Sequence, residues 1–139
     1  MRRLSVIFIA IAMLVVAGSA SAATVSTRNV TGFGPALVDG KGWPLYSFAA
    51  DKGGKSACYG SCATAWPPVI VKGTPTVAGK ASSSLVGTIR RKDGKLQLTY
   101  AGRPMYLWYG DAPGVARCHN VDEFGGLWQL RRASGRPVP

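Results

Sequence analysis

The chain has 139 residues, 47% of them hydrophobic and 17% charged, with 17 Lys and Arg against six Asp and Glu. That length suits one compact domain with a modest core and excludes two large ones. The basic excess points either to an anionic partner or to a solvated surface that keeps the chain in solution. Clusters such as Arg90, Arg91 and Lys92, or Arg131 and Arg132, carry no base-reading motif, so nucleic acid is not expected as a partner.

At the N-terminus, Arg2 and Arg3 precede an apolar run from Leu4 to Ala17, and Ala20 and Ala22 then have the spacing of an A-x-A cleavage site. This predicts a signal peptide over 1–22. The run is shorter than the roughly 20 residues that span a bilayer, and no Cys follows it to take a lipid. The expected product starts at Ala23, keeps 117 residues and carries a net charge of +9 from fifteen basic and six acidic residues. A soluble periplasmic or secreted monomer follows, with no stable membrane insertion after cleavage. An oxidising compartment favours disulfides, but Cys58, Cys62 and Cys118 leave one over, and counting does not separate the three pairings.

Further along, the sequence repeats itself at an offset of 60: Gly34 meets Gly94, Gly42 meets Gly102, Pro44 meets Pro104, Tyr46 meets Tyr106, Asp51 meets Asp111, Gly54 meets Gly114 and Cys58 meets Cys118. Such self-similarity marks an internal duplication. In the second copy VGTIRR, KLQLTY and PMYLWY are β-favouring runs separated by Asp-Gly and Ala-Gly turns, the pattern of an antiparallel meander. TVSTRNV, ALVD and PLYSF are the matching runs of the first copy. Each copy should end in a strand carrying Trp66 or Trp128. The expected organisation is a first repeat over 23–72, a Gly/Thr/Ser-rich connector over 73–84, a second repeat over 85–132 and a mobile tail over 133–139. The fold class is mainly β, two tandem antiparallel meander repeats packed as one pseudo-symmetric domain with one or two short helical turns.

Within GWPLYSFAAD and GRPMYLWYGD, side chains two apart share a strand face. Tyr46 and Phe48 therefore oppose Leu45 and Ser47, while Tyr106 and Trp108 oppose Met105, Leu107 and Tyr109. A strand apolar on both faces belongs inside a sheet. Gly42 and Gly102 suit a positive-φ turn, and Asp51 and Asp111 suit acceptors for the following loop or for a buried Tyr hydroxyl. The motif residues Tyr46, Phe48, Asp51, Tyr106, Trp108 and Asp111 thus read as mainly structural, with a Tyr–Asp ligand site as the competing reading.

YSFAAD, YLWYGD, KSACYGSCATAWPPV and TYAGRPMYLW resemble the bacterial secreted-repeat family of predicted lipoproteins with a Yx(FWY)xxD motif, a family of uncharacterised function. The resemblance covers nearly all of the chain after the signal peptide. It implies a Cys58–Cys62 disulfide, because the paired element recurs in the family without a third Cys. Loop-closure entropy by itself favours a longer link through Cys118, about 4 kcal/mol against about 2 for the short ring. Two departures from the family stand out: the absent lipid-accepting Cys, and Cys118 with His119 in the second copy.

Cys118 and His119 offer a thiolate and an imidazole for zinc or copper, and Cys62 and Asp122 are available to complete a set. The spacing matches no zinc pattern, and haem attachment by C-x-x-C-H is absent, so no cofactor is expected. With no G-x-S-x-G, H-E-x-x-H or phosphate loop, no catalytic residues are assigned and an enzyme is not expected. The leading expectation is a non-enzymatic binding module for an anionic envelope component or a small ligand. Its surface would combine Trp43, Tyr59 and Tyr109 with Lys52, Lys55 and Arg103. The rival is a periplasmic redox or metal-handling protein using Cys58, Cys62, Cys118 and His119.

Overall fold

Residues 24–139 are described by a computed structural model; the signal peptide expected over 1–22 lies outside them. Alternating short β runs with glycine turns give β1 (Val25–Val30), β2 (Gly34–Asp39), β3 (Tyr46–Phe48), α1 (Ser61–Ala65) and β4 (Ile70–Val71) in the first copy. After a 3-10 turn at Ser83–Leu85, the second copy forms β5 (Val86–Arg90), β6 (Leu96–Tyr100), β7 (Arg103–Pro104), β8 (Val121–Glu123) and β9 (Gly126–Leu130). The fold is mainly β, with antiparallel ladders and little helix, as the turn spacing predicts.

Each copy opens with a hairpin, β1 on β2 from Val25↔Asp39 to Val30↔Gly34 and β5 on β6 from Val86↔Tyr100 to Arg90↔Leu96. The chain then reverses at the motif glycines, Gly42 at φ +87° and Gly102 at φ +76°, a conformation that any Cβ disfavours. The motif segment returns beside the hairpin, with Leu45 N–H donating to Leu37 O and Met105 N–H donating to Leu98 O, both at 3.0 Å.

The two motif segments meet at the centre. Tyr46 N–H donates to Tyr106 O at 2.8 Å and Tyr106 N–H donates to Tyr46 O at 2.9 Å, the reciprocal exchange of an antiparallel pair. Each copy's final segment then pairs with the other copy. Strand β9 lies on β3 through Tyr46↔Leu130, Ser47↔Gln129 and Phe48↔Trp128, and Arg131 O accepts from Leu37 N–H. In return, Pro68 bridges Tyr106, Val69 N–H donates to Met105 O, and β4 pairs with β6 at Ile70↔Gln97. Strand exchange closes sheet edges that either copy alone would leave open.

Copy one departs from the expected Trp-bearing last strand. Trp66 caps α1, and the strand begins only at Ile70, because Pro67 and Pro68 have no N–H to give to a ladder. For the same reason the segment after Pro104 is extended without being a full strand. It takes single hydrogen bonds instead, from Leu107 N–H to Pro67 O and from Tyr109 N–H to Ala65 O.

Strand parity divides the interior into two cores. Tyr46, Phe48, Tyr106, Trp66, Trp128 and Leu130 belong to one, while Leu37, Leu45, Val69, Leu98, Tyr100 and Met105 form the other. The motif segment is buried on both faces over Leu45–Phe48 and at Met105 and Tyr106, whereas Leu107 and Trp108 are half-buried and Tyr109, expected on an interior face, is exposed. The tail 133–139, expected to be mobile, is instead docked. Its turn at Gly135 lets Val138 N–H reach Leu130 O at 3.0 Å, Tyr100 O–H donates to Ala133 O at 2.6 Å, and Val138 is 3% exposed. Burying that one side chain favours docking by about 1.5–3 kcal/mol.

Candidate functional site

Of the residues singled out in the sequence, the motif side chains converge in the main core, and they do so across the repeats. Tyr46 O–H donates to Asp111 Oδ2 at 2.6 Å, and Tyr106 O–H donates to Asp51 Oδ2 at 2.8 Å. The other carboxylate oxygen of each Asp fixes its own following loop, Asp51 Oδ1 accepting Ala57 N–H at 2.7 Å and Asp111 Oδ1 accepting Arg117 N–H at 2.8 Å. Each Asp therefore ties a loop of one copy to the central strand of the other. All four groups spend their polar capacity within the fold, on one another, on backbone amides and, for Tyr106, on Ser56 Oγ at 2.7 Å.

Around this crossing the aromatics stack. Trp128 lies parallel to both Phe48 and Trp66 at 4.0 Å between ring centroids, and Tyr46 meets Trp66 edge-on as Tyr106 meets Trp128, each at 5.1 Å. Such pairs add about 0.5–1.5 kcal/mol each beyond area burial. Both buried indole N–H groups go to Glu123, Trp66 to Oε2 at 2.8 Å and Trp128 to the main-chain O at 2.9 Å.

Cys58 and Cys62 form a disulfide with Cα atoms 5.3 Å apart. Cys58 precedes the helix and Cys62 sits in its first turn, with Gly60 at φ +58° between them. Cys118, the counterpart of Cys58, is a free half-buried thiol. Burial, then Asp111 and Glu123, raise its pKa, which lowers its thiolate fraction. His119 Nδ1 accepts Leu130 N–H at 3.0 Å, its Nε2 is buried without a partner, and its ring stands edge-on to Phe33 at 5.1 Å. Among the described residues no group of three or more His, Cys, Asp and Glu gathers as a ligand set, so Cys62 and Asp122 do not complete one with Cys118 and His119.

Burial also sets the titration of this interior. It raises the carboxyls of Asp51 and Asp111 despite the hydrogen bonds they accept, and it lowers the His119 imidazole. A carboxyl raised on folding contributes stability that is full below the unfolded value of about 4 and is lost as pH rises through the folded value. His119, being depressed, contributes stability present above about 6.5 and lost as pH falls through its folded value. In urea unfolding from pH 7.5 to 3.5, His119→Gln is therefore expected to remove a loss of stability that the parent shows below about 6.5. Asp111→Asn should remove a gain that the parent shows toward about 4. Curves for parent and variants that stay parallel throughout would contradict both signs.

The surface residues of the sequence-based proposal do not form one patch. Trp43 and Tyr109 come together with Trp108 around a groove of about 600 Å³, floored by Pro67, Val69 and Leu107 and rimmed by Asp39 and Lys41. Asp39 Oδ1 accepts both Lys41 N–H and Trp43 N–H at 2.9 Å, which fixes the loop that presents Trp43. Tyr109 is 69% exposed, Trp43 and Trp108 are half-buried, and Trp108 leans on Tyr109 at 4.9 Å. Tyr59 and Lys55 line a second cleft with Arg90, Arg91 and Lys92, while Arg103 lies in a third beside Asp51 that does not include Lys52.

Sixty positions away, the groove's aromatic and apolar residues become Arg103 for Trp43, Ser47 for Leu107 and Ala49 for Tyr109. There Ser47 Oγ accepts from Arg131 Nε at 2.6 Å, and Arg131 Nη1 donates to Gly135 O in the docked tail at 3.3 Å. Burial, then Arg103, lowers the Arg131 guanidinium to about 10. One half of the duplicated frame thus carries an open aromatic groove and the other a polar network under the tail. Leu107, Asp39 and Arg91 were missed as site residues by sequence reasoning, although the mismatch of Leu107 with Ser47 was a visible signal.

No helix among the described residues is long and apolar enough to cross a membrane. No curated protein and no solved structure matches the chain. A family of secreted repeats of unknown function matches it twice, at residues 29–70 and 87–130, and each match runs from the opening hairpin of a copy to its final segment. The crossed motif and exchanged strands are therefore features of two repeats folded together, and the chain belongs to this family of secreted repeats.

Proposed function

We propose that the protein is an exported, non-enzymatic binding module of the periplasm or extracellular space, and that its groove at Trp43, Trp108 and Tyr109 takes a sugar ring of an envelope component. The observation that carries this reading is the asymmetry of the duplication. Arg103 and Ala49 occupy the equivalent backbone positions of Trp43 and Tyr109, so the frame itself does not call for aromatics there. A sugar ring suits the site because it offers an apolar face to aromatic rings and hydroxyls to Asp39 and Lys41 at the rim. The non-enzymatic part rests on how the reactive groups are spent: Asp51 and Asp111 on Tyr hydroxyls and loop amides, His119 Nδ1 on a backbone amide.

Titration with neutral oligosaccharides, followed by Trp fluorescence, tests the reading. Saturable quenching is expected, and Trp43→Ala or Tyr109→Ala should weaken binding about tenfold or more, since each removes a stacking face. The urea midpoint of Tyr109→Ala should stay within about 0.5 kcal/mol of the parent. Saturable binding that ignores both substitutions, or no saturable binding across a panel of neutral glycans, would overturn it.

A further inference from the structure

We propose a second, separate site: the cleft between the disulfide loop and the end of β5 binds a phosphate group. Lys55, Tyr59, Arg90, Arg91 and Lys92 line this cleft of about 730 Å³, and no acidic residue does. Its floor is built from Arg91, which is 5% exposed. Arg91 Nη1 donates to Ser56 Oγ at 2.9 Å and Gln97 Oε1 at 2.8 Å, and Nη2 donates to Cys58 O at 2.6 Å. None of these acceptors carries a charge, and Arg91 Nε is buried without a partner. The nearby carboxylate of Asp51 is spent on Tyr106 O–H and Ala57 N–H. A guanidinium held out of water on neutral acceptors alone is costly; Asp51 is close enough to feel its charge but makes no bond to it, and the cation projects positive potential into the cleft above it.

The remaining groups are arranged around that charge. Tyr59 sits inside the loop closed by the Cys58–Cys62 disulfide, and its hydroxyl accepts Lys92 N–H at 3.1 Å. The Arg91 guanidinium carbon lies 4.3 Å and Lys92 Nζ 5.2 Å from the centre of its ring, which gathers both cations at one wall. Arg90 Nη1 is anchored on Gly94 O at 2.6 Å, and Lys55 faces the cleft from the other copy. Asp93, next in sequence to Lys92, is occupied by Lys95 N–H at 2.9 Å.

The duplication again supplies an internal control. The positions equivalent to Lys55, Arg90, Arg91 and Lys92 are Val115, Val30, Thr31 and Gly32, so the repeat fold is built elsewhere in this chain without any of these cations. Arg91 supplies charge from below, and the exposed Arg90 guanidinium, engaged only through Nη1, with the Lys55 and Lys92 ammonium groups in the same cleft offers charged donors to the oxygens of a phosphate. A lipid headgroup and a soluble phosphate ester share this chemistry.

The test uses the full chain with its disulfide intact, followed by amide NMR during titration with inorganic phosphate and with glycerol 3-phosphate. Saturable shifts confined to Gly54, Lys55, Tyr59 and residues 89–92 are expected, weakening as salt rises. Lys55→Gln with Lys92→Gln, both exposed in the parent, should weaken binding about tenfold while the rest of the spectrum is unchanged. Co-sedimentation with phosphatidylglycerol vesicles but not phosphatidylcholine vesicles, relieved by glycerol 3-phosphate, would identify a lipid headgroup as the source. Site-confined binding of glycerol 3-phosphate without co-sedimentation would identify a soluble ester, and either outcome upholds the site. Non-saturating shifts shared with Lys72, Lys80 and Arg136, or binding unchanged in the double variant, would overturn it.

Discussion

Residues 24–81 and residues 82–139, expressed separately, are expected to show no cooperative unfolding transition, and mixing them at equal concentration should restore one. The reason lies in the exchanged strands. Without the second copy, β3 loses its whole ladder to β9, Leu37 N–H loses Arg131 O, and Phe48 loses the ring it stacks on. Without the first copy, β6 loses β4, and Trp128 loses both Phe48 and Trp66. A fragment of this size has little core to spare, because small chains bury a smaller share of their surface on folding. The cut falls beyond Lys80, so the first fragment keeps the contacts of Val25 with Thr76 and Ala78. Circular dichroism and amide dispersion of each fragment and of the mixture would check this. A well-dispersed spectrum from either fragment alone would show that the copies fold independently.

The second large effect belongs to the crossed hydroxyls. Tyr46→Phe is expected to cost about 1.5–3 kcal/mol, the range for a hydrogen bond to a charged group. It removes the side-chain hydrogen bond that ties Asp111, at the start of its loop, to β3, and the Asp111 carboxyl keeps Arg117 N–H alone. Tyr106→Phe should cost a similar amount: it removes the bonds to Asp51 and to Ser56 Oγ at 2.7 Å, while Asp51 keeps Ala57 N–H and Ser56 keeps Arg91 Nη1. Denaturant midpoints at pH 7 measure both, and changes below about 0.5 kcal/mol would mean that the hydroxyls carry no structural load.

Much of the frame is legible in the sequence. The offset of 60 located the two copies, the Asp-Gly and Ala-Gly turns located β5 to β7, and the alternation in PLYSF and PMYLWY foretold a strand with a core on each face. What the sequence did not carry is which copy each last segment joins. WPPVIV and LWQLRR have the same apolar pattern whether they return to their own meander or cross to the other, since strand periodicity is local and pairing is not. The crossing of Tyr46 to Asp111 was hidden for the same reason: each motif contains both a Tyr and an Asp, and nothing local distinguishes a partner five residues away from one 65 away. Docking of the tail is not legible in its composition, because Val138 is the one large aliphatic residue among Ala, Ser, Gly, Arg and Pro.

The surface sites divide along similar lines. Expected chemistry at Cys118 and His119 rested on residue type alone, and the fold uses His119 as a backbone acceptor and leaves Cys118 packed against the core. Trp43, Tyr59 and Tyr109 were recognisable as surface aromatics, but only the fold separates Trp43 and Tyr109 from Tyr59. A comparison of the copies position by position holds the stronger signal. Where they agree, at Tyr, Asp, Gly and Pro, the residues build the crossing. Differences at Trp43 and Arg103, Tyr109 and Ala49, or Arg91 and Thr31 mark surfaces that the frame does not require.

That division depends on the motif being a lock between copies rather than a site within each. A pair of double-mutant cycles measures it directly, one combining Tyr46→Phe with Asp111→Ala and the other combining Tyr46→Phe with Asp51→Ala. The crossed geometry predicts a coupling of about 1.5–3 kcal/mol for Tyr46 with Asp111 and less than about 0.5 for Tyr46 with Asp51, since the Tyr46 hydroxyl and the Asp51 carboxylate share no hydrogen-bond partner. Coupling concentrated in the Tyr46–Asp51 pair would place each motif's polar groups within its own copy and contradict the account.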